Sequence, residues 1–295
     1  MKYEISGLAV ELQGGREYMK SCMAKYTLPL ENERERICDL GIFIERGTKI
    51  PKPAGKILSN HLVWRLSEQD GIRTAWRTLP GFDDIVSARM DFLQDRTDIF
   101  VFSVDDGEDT AGGDDNPDAV DSRDFLFAGQ AFSDMCLRHS RMVLHSSCIA
   151  VDGKAILFSA PSGTGKSTHT GLWQKHVPNT VMINDDTPVL RLDRPDHVMA
   201  CGSPWSGKTR LNENLSVPLH AIVFLERGEK NTIAPLPTAQ AFGRLLGECR
   251  KFPFADSMSL AAEHCAALIE RVPIYRLTCN ISYNAVETVR EELLL

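Results

Sequence analysis

The chain has 295 residues, 43% hydrophobic and 25% charged, the usage of a globular protein with one or two domains, which excludes a mainly disordered chain. With 33 basic residues against 40 acidic ones the net charge is -7, the wrong sign for a protein that lives on phosphate backbones, so nucleic acid is not an expected partner. No stretch approaches the ~18 apolar residues of a membrane span, and Met1 to Gly7 runs into strand-like alternation without the apolar run of a signal peptide. A cytoplasmic protein with no membrane partner is expected. The eight cysteines stand singly with no CxxC pair, as buried thiols in a reducing compartment do, and structural zinc is not expected.

Residues 1–104 read as a β-rich N-terminal region. Short alternating pieces at Tyr3–Leu12, Ile37–Glu45, His61–Leu66, Ile72–Leu79 and Asp98–Val104 suit an antiparallel sheet with one wet face. Residues 105–124 are dense in Asp, Gly and Pro, and their composition predicts an acidic linker or loop; the spacing lacks the pattern of a calcium loop. A second region is expected over 125–295. It opens with helical spacing over Phe125–His139. Two apolar strands follow, Val143–Val151 and Lys154–Ser159, joined by Asp152-Gly153, a pair that tolerates the positive φ of a tight hairpin. A helix is expected over Thr168–His176, then strands at Thr180–Ile183, Pro188–Leu192, Val198–Cys201, His220–Glu226 and Ile274–Cys279. Further helices are expected at Thr238–Cys249, Met258–Arg271 and Tyr283–Leu294.

Two segments compete for a phosphate-loop role. Gly202-Ser203-Pro204-Trp205-Ser206-Gly207-Lys208-Thr209 satisfies GxxxxGK[ST] to the letter, whereas Ala160-Pro161-Ser162-Gly163-Thr164-Gly165-Lys166-Ser167 has Ala at the first position. A phosphate loop works because it joins a buried strand to a helix, so that backbone N–H groups and the helix N-terminus converge on the anion. Only the first-occurring segment has that context; after Thr209 the chain is poor helix sequence ending at Pro218. Nucleotide binding is therefore assigned to Ala160–Ser167 with the following Thr168. Gly163 and Gly165 let the backbone wrap phosphates, Lys166 reaches the β and γ oxygens, and the Ser167 hydroxyl takes magnesium. Phosphoryl transfer also needs carboxylates. Asp185 and Asp186, at the end of an apolar strand, are read as a metal partner and a base, in either order, with Asp186 the candidate metal ligand beside Ser167. In the loop at 202–210, Trp205, Lys208 and Arg210 are candidates for holding an acceptor's carboxylate or phosphate. His169 is left open between the site and the surface.

The stretch Leu144-His145-Ser146-Ser147-Cys148-Ile149-Ala150-Val151, the hairpin, Ser162-Gly163-Thr164-Gly165-Lys166-Ser167 and the paired Asp resemble the catalytic domain of HPr kinase/phosphorylase, a family that shares its nucleotide-binding core with ATP-dependent phosphoenolpyruvate carboxykinase. The likeness covers about 143–192 well and the remainder in outline. It implies an α/β (α+β) P-loop domain with a mainly antiparallel sheet, His145 as an active-site histidine, Lys166 as the loop lysine, and Asp185-Asp186 as the acidic pair that includes the base. The family's Glu-bearing LEIRG-like stretch is missing, its place held by Gly202–Arg210, which leaves one metal-side role unassigned. The expected function is an ATP- and magnesium-dependent kinase acting on a hydroxyl, Ser of a peptide or small protein, with a homo-oligomer admitted. The alternatives are a carboxykinase-like or small-molecule kinase and a non-catalytic ATP-binding regulatory module. Among them the intact Asp pair and His145 favour an enzyme.

Overall fold

The computed structural model describes residues 1–29, 37–59, 63–79, 81–93, 98–104 and 119–295, apart from the side chains at 104, 119, 120 and 208. The chain divides into two compact units, Met1–Met135 and Cys136–Leu295. Among the described residues, no helix is long and apolar enough to cross a membrane.

Among the described residues, the first unit holds one eight-stranded sheet and two α-helices. Strands β1 (Lys2–Ile5) and β2 (Leu8–Gln13) form a hairpin, then come α1 (Glu17–Met23), β3 (Leu40–Gly47), β4 (Lys56–Ser59), β5 (Arg65–Gln69), β6 (Ile72–Leu79), β7 (Phe82–Leu93), β8 (Asp98–Val104) and α2 (Ala119–Met135). The spatial order is β1-β2-β3-β8-β7-β6-β5-β4. This sheet is not purely antiparallel as the alternation suggested, because β3 lies parallel to both β2 and β8. The expected strand at 3–12 is broken by Ser6 and Gly7, both at positive φ, which turn the chain back on itself. Residues 105–118 of the expected acidic linker lie outside the described residues, and 119–124 open α2 instead. That helix packs on α1, β3 and β8 of this unit, so the division falls after Met135 rather than at 125.

The second unit is built on a nine-stranded mixed sheet. Its elements are β9 (Arg141–Val143), β10 (Ser146–Val151), β11 (Lys154–Ser159), α3 (Lys166–His176), β12 (Val181–Asn184), β13 (Val189–Arg191), β14 (Met199–Cys201), β15 (Ser216–Arg227), β16 (Thr232–Pro235), α4 (Thr238–Glu248), α5 (Ala255–Arg271), β17 (Ile274–Cys279) and α6 (Tyr283–Leu293). Most pairings are antiparallel, but β11, β15 and β17 run parallel side by side. Successive side chains of a strand point to opposite faces. On β11, Ile156 and Phe158 accordingly join Trp173 of α3 and Val286 and Val289 of α6 in one cluster. Ala155 and Leu157 join Leu245 of α4 and Ala261 and Leu268 of α5 in the other. Helices thus cover both faces, which is why these strands read as almost continuous apolar runs. Asp152 (φ 47) and Gly153 (φ 78) make the tight turn of the β10–β11 hairpin, a geometry that Asp and the Cβ-less Gly tolerate.

Candidate active site

Ligands of open α/β sheets settle outside the carboxyl ends of the parallel strands, and an open cleft of about 590 Å³ lies at those ends here. Its walls are the 161–164 turn after β11, the end of β15 from Phe224 to Arg227, and Arg244, Gly247 and Glu248 of α4. Gly163 (φ +78) and Gly165 (φ +118) hold conformations that a side chain resists, and a Cβ on either would meet open space. The helix that follows, α3, has Gly165 as its N-cap with no side chain capping it, so its first N–H groups point outward unpaired by the helix, as an anion site requires. Arg227 closes the turn from outside, donating to the carbonyls of Gly163 and Thr164. Lys166 is buried, and its Nζ donates to the Ala160 carbonyl at 2.8 Å. Burial lowers its pKa, while Glu248, Asp186 and Asp185 oppose that and Arg250 adds to it.

The start of β10 is stitched to the acidic pair. Ser146 N–H donates to the Asp186 carbonyl at 3.0 Å, and Ser147 Oγ donates to Asp185 Oδ1 at 2.7 Å. The second oxygen of Asp185 accepts from Thr209 Oγ1 at 2.9 Å. Asp185 is thereby enclosed, its side chain spent on two hydroxyls, whereas the Asp186 side chain keeps 33% of its surface open. His145 stands between two carboxylates: Nδ1 is 2.8 Å from Glu248 Oε2 and Nε2 is 3.4 Å from Asp186 Oδ1. The bond to His145 holds the Glu248 carboxyl below its usual range, against the opposing effect of burial.

The segment 202–210 comes to the same corner. Buried Asn184 uses its whole amide there: Oδ1 accepts from the N–H groups of Asp186 and Thr187, and Nδ2 donates to the carbonyls of Ser203 and Trp205. A Cβ on Gly207 would stand 3.0 Å from Asp186 Cβ, and Gly207 is at φ +67. Trp205, expected as a wall for an acceptor, is buried; its ring is too large and apolar to be left in water, and its carbonyl is the part that Asn184 and Thr187 hold. Arg210 is exposed and in the left-handed region at φ 52. The Lys208 side chain lies outside the described residues. Ala160 is buried, while Pro161, Ser162, Ser167 and Thr168 are exposed.

His169 lies neither in the site nor on the surface. It packs edge-on against Phe158 with ring centroids 4.7 Å apart, accepts from Trp173 Nε1 at 3.2 Å, and burial pushes its pKa down to about 4. Sequence reasoning missed Glu248, whose only signal is its place at the end of an amphipathic helix. Among the described residues no group of three or more His, Cys, Asp and Glu is placed to hold a metal ion. Magnesium is commonly bound through one or two protein oxygens plus nucleotide phosphates, and the exposed Ser167 and half-open Asp186 fit that mode rather than a protein cage.

The fold and site define a helix-flanked mixed-sheet α/β domain with a glycine-rich strand–turn–helix at the carboxyl ends of its parallel strands. A family model described as SynChlorMet cassette protein ScmC matches residues 132–294, more than half of the chain, and the chain belongs to that family. No curated protein matches it. Among solved structures, it is similar to the HPr(Ser) kinase/phosphatase from Coxiella burnetii, with 13% identity over 52% of this chain and 96% of that one and a TM-score of 0.31.

Proposed function

We propose that the chain is an ATP- and magnesium-dependent kinase that transfers the γ-phosphoryl group to a hydroxyl, Ser of a peptide or small protein. The observation that carries the reading is convergence: a bare helix N-terminus behind two positive-φ glycines and a half-open carboxylate beside a histidine meet the same buried lysine. A nucleotide store needs the first of these but not the second.

In this reading the N–H groups of the Gly163–Ser167 turn bind the phosphate oxygens, and Lys166 leaves the Ala160 carbonyl to pair with the β and γ oxygens. The acceptor oxygen forms a bond to the γ phosphorus as the bond to the β,γ-bridging oxygen breaks, and ADP departs. The hydroxyl proton passes to the acidic pair, of which Asp186 is the more exposed member. Asp185, bonded to Ser147 and Thr209, fixes the segment 202–210 against the site. Ser167 would hold magnesium, which when bound neutralises phosphate charge, beside the nucleotide phosphates, and Asp186, the other side chain that fits the metal, takes the proton. Arg210 supplies the exposed charge for an acceptor.

The test is transfer from γ-labelled ATP to a panel of Ser-containing peptides, beside a calorimetric titration with ATP. Label on a peptide hydroxyl supports the reading. Nucleotide binding with no transfer to peptide, small hydroxyl compound or water replaces it with that of a regulatory module.

A further inference from the structure

Glu248 and His145 are joined twice. Their backbones pair in a short antiparallel ladder: Leu144 bridges Cys249, His145 N–H donates to the Glu248 carbonyl at 2.9 Å, and Arg250 N–H donates to the Val143 carbonyl at 2.9 Å. These bonds already fix the end of α4 to the start of β10. The additional side-chain bond, Nδ1 to Oε2 at 2.8 Å, is therefore not needed to hold the segments together, and its effect falls on the imidazole. A carboxylate only accepts, so Nδ1 carries the hydrogen of that bond. The other nitrogen, at 3.4 Å from Asp186 Oδ1, is turned toward the acidic pair without a close hydrogen bond. Both carboxylates belong to the surroundings of Lys166, and Glu248 itself lines the cleft.

We propose that Glu248 is the positioning residue of His145: its carboxylate fixes the ring in the Nδ1–H tautomer and so decides that Nε2 is the nitrogen presented to Asp186. The proposal rests on the kinase reading for its kinetic consequence, but the ring's tautomer is a property of the protein alone. A histidine held by one nitrogen through a carboxylate has both its proton position and its ring plane set. Free of that partner the ring can turn over and offer either nitrogen. Glu248 thus orients one member of the site from a helix end 103 residues further along the chain, without touching the reacting atoms.

The test combines a spectroscopic and a kinetic measurement on the full chain. Long-range proton–nitrogen NMR in mildly alkaline buffer should find the His145 proton on Nδ1 in the wild type and a population moved to Nε2 in Glu248→Ala and Glu248→Gln. Turnover should fall by about tenfold to a hundredfold in these variants, the usual cost of losing an orienting carboxylate, with the Michaelis constant for ATP changed less than about threefold. Glu248→Asp, which keeps the charge, should recover part of the turnover and the Nδ1 proton. An unchanged ring spectrum in folded Glu248→Ala and Glu248→Gln overturns the proposal, as does a large loss of ATP affinity without a change in the ring, which would make Glu248 a nucleotide contact. If the wild type transfers no phosphoryl group, the kinase reading fails and the ring spectrum still decides the role of Glu248.

Discussion

Residues 160–167 and 202–209 carry nearly the same letters, two glycines and a lysine ahead of a hydroxyl, and the chain puts them to opposite uses. The first leaves β11 and opens the eleven-residue helix α3, so its glycines face open space and the first N–H groups of the helix have no partner within it. The second leaves β14 and makes a single 3-10 turn, Gly207–Thr209. There Gly207 lies against Asp186, and Thr209 gives its hydroxyl to Asp185. One glycine pair makes room for something outside the protein; the other glycine makes room for the protein's own carboxylate. What separates them is the element that follows, since only a helix supplies a set of aligned, unpaired donors.

Exchanging the lysines is the strongest way to break this contrast. Lys166→Ala should reduce phosphoryl transfer by about a thousandfold or more, the scale of a cation acting on transferring phosphate, while Lys208→Ala should leave ATP affinity almost unchanged. Nucleotide titration and turnover of both variants check this, and the reverse pattern would move the phosphate site to 202–209. The acidic pair comes next. Asp186→Asn should cost at least ~100-fold in turnover, the scale of a general base, with ATP binding much less affected. Asp185→Ala should act first on stability, by about 0.5–1.5 kcal/mol for each of the two hydroxyls, Ser147 and Thr209, that lose their carboxylate acceptor; its urea midpoint should fall where that of Asp186→Asn does not.

A smaller effect tests whether α3 is a fixed platform for the first glycine pair. The folded-state pKa of His169, about 4, lies below the ordinary 6.5, so below pH 6.5 the unfolded chain binds the extra proton and stability is lost as pH falls. Between pH 7 and pH 5 this should amount to about 2 kcal/mol. His169→Phe should remove that part of the pH dependence in denaturant unfolding, and an unaltered dependence would mean the ring is not held neutral in the core. Smallest is Arg227→Ala. It removes two bonds to the carbonyls of the turn at an exposed site, and ATP affinity should fall by about three- to tenfold, from ~0.5–1.5 kcal/mol. No change would show that the turn holds its shape by its glycines alone.

The parts of the fold legible in the sequence are those whose signal is local. Asp152-Gly153 between two apolar runs marked the hairpin, Ile274–Cys279 is the strand it was read to be, and the helices after Pro237 and before Pro273 fall within a few residues of their expected bounds. The Ser6-Gly7 turn carried a signal just as local, but the apolar alternation on either side outweighed it. Harder were β7, whose Asp and Arg residues hide its alternation, and the parallel partnership of β2, β3 and β8, which depends on connections rather than on any strand's own pattern. For the site, His145, Lys166 and the acidic pair came from the resemblance and from spacing, and the structure brings His145 to Asp186 and both carboxylates into the surroundings of Lys166. Glu248 was not legible because its position depends on the ladder between 143–145 and 248–250. The burial of Trp205 was not legible because a loop aromatic beside cations has the same sequence signal whether it faces a ligand or the interior.

None of the cysteines is in a disulfide, and Cys249 sits buried at the centre of that same ladder. Cys249 packs in the core cluster with Leu245 of α4 and Cys265 and Leu268 of α5, so a thiol reagent reaches it in states where this part of the unit has opened. The rate at which it is labelled under native conditions, compared with that of global unfolding, therefore reports local opening around the end of α4. Because that helix end is where Glu248 meets His145, a bound nucleotide that slowed the labelling of Cys249 would report, through a sulfur atom the chemistry never uses, how firmly the cleft is closed.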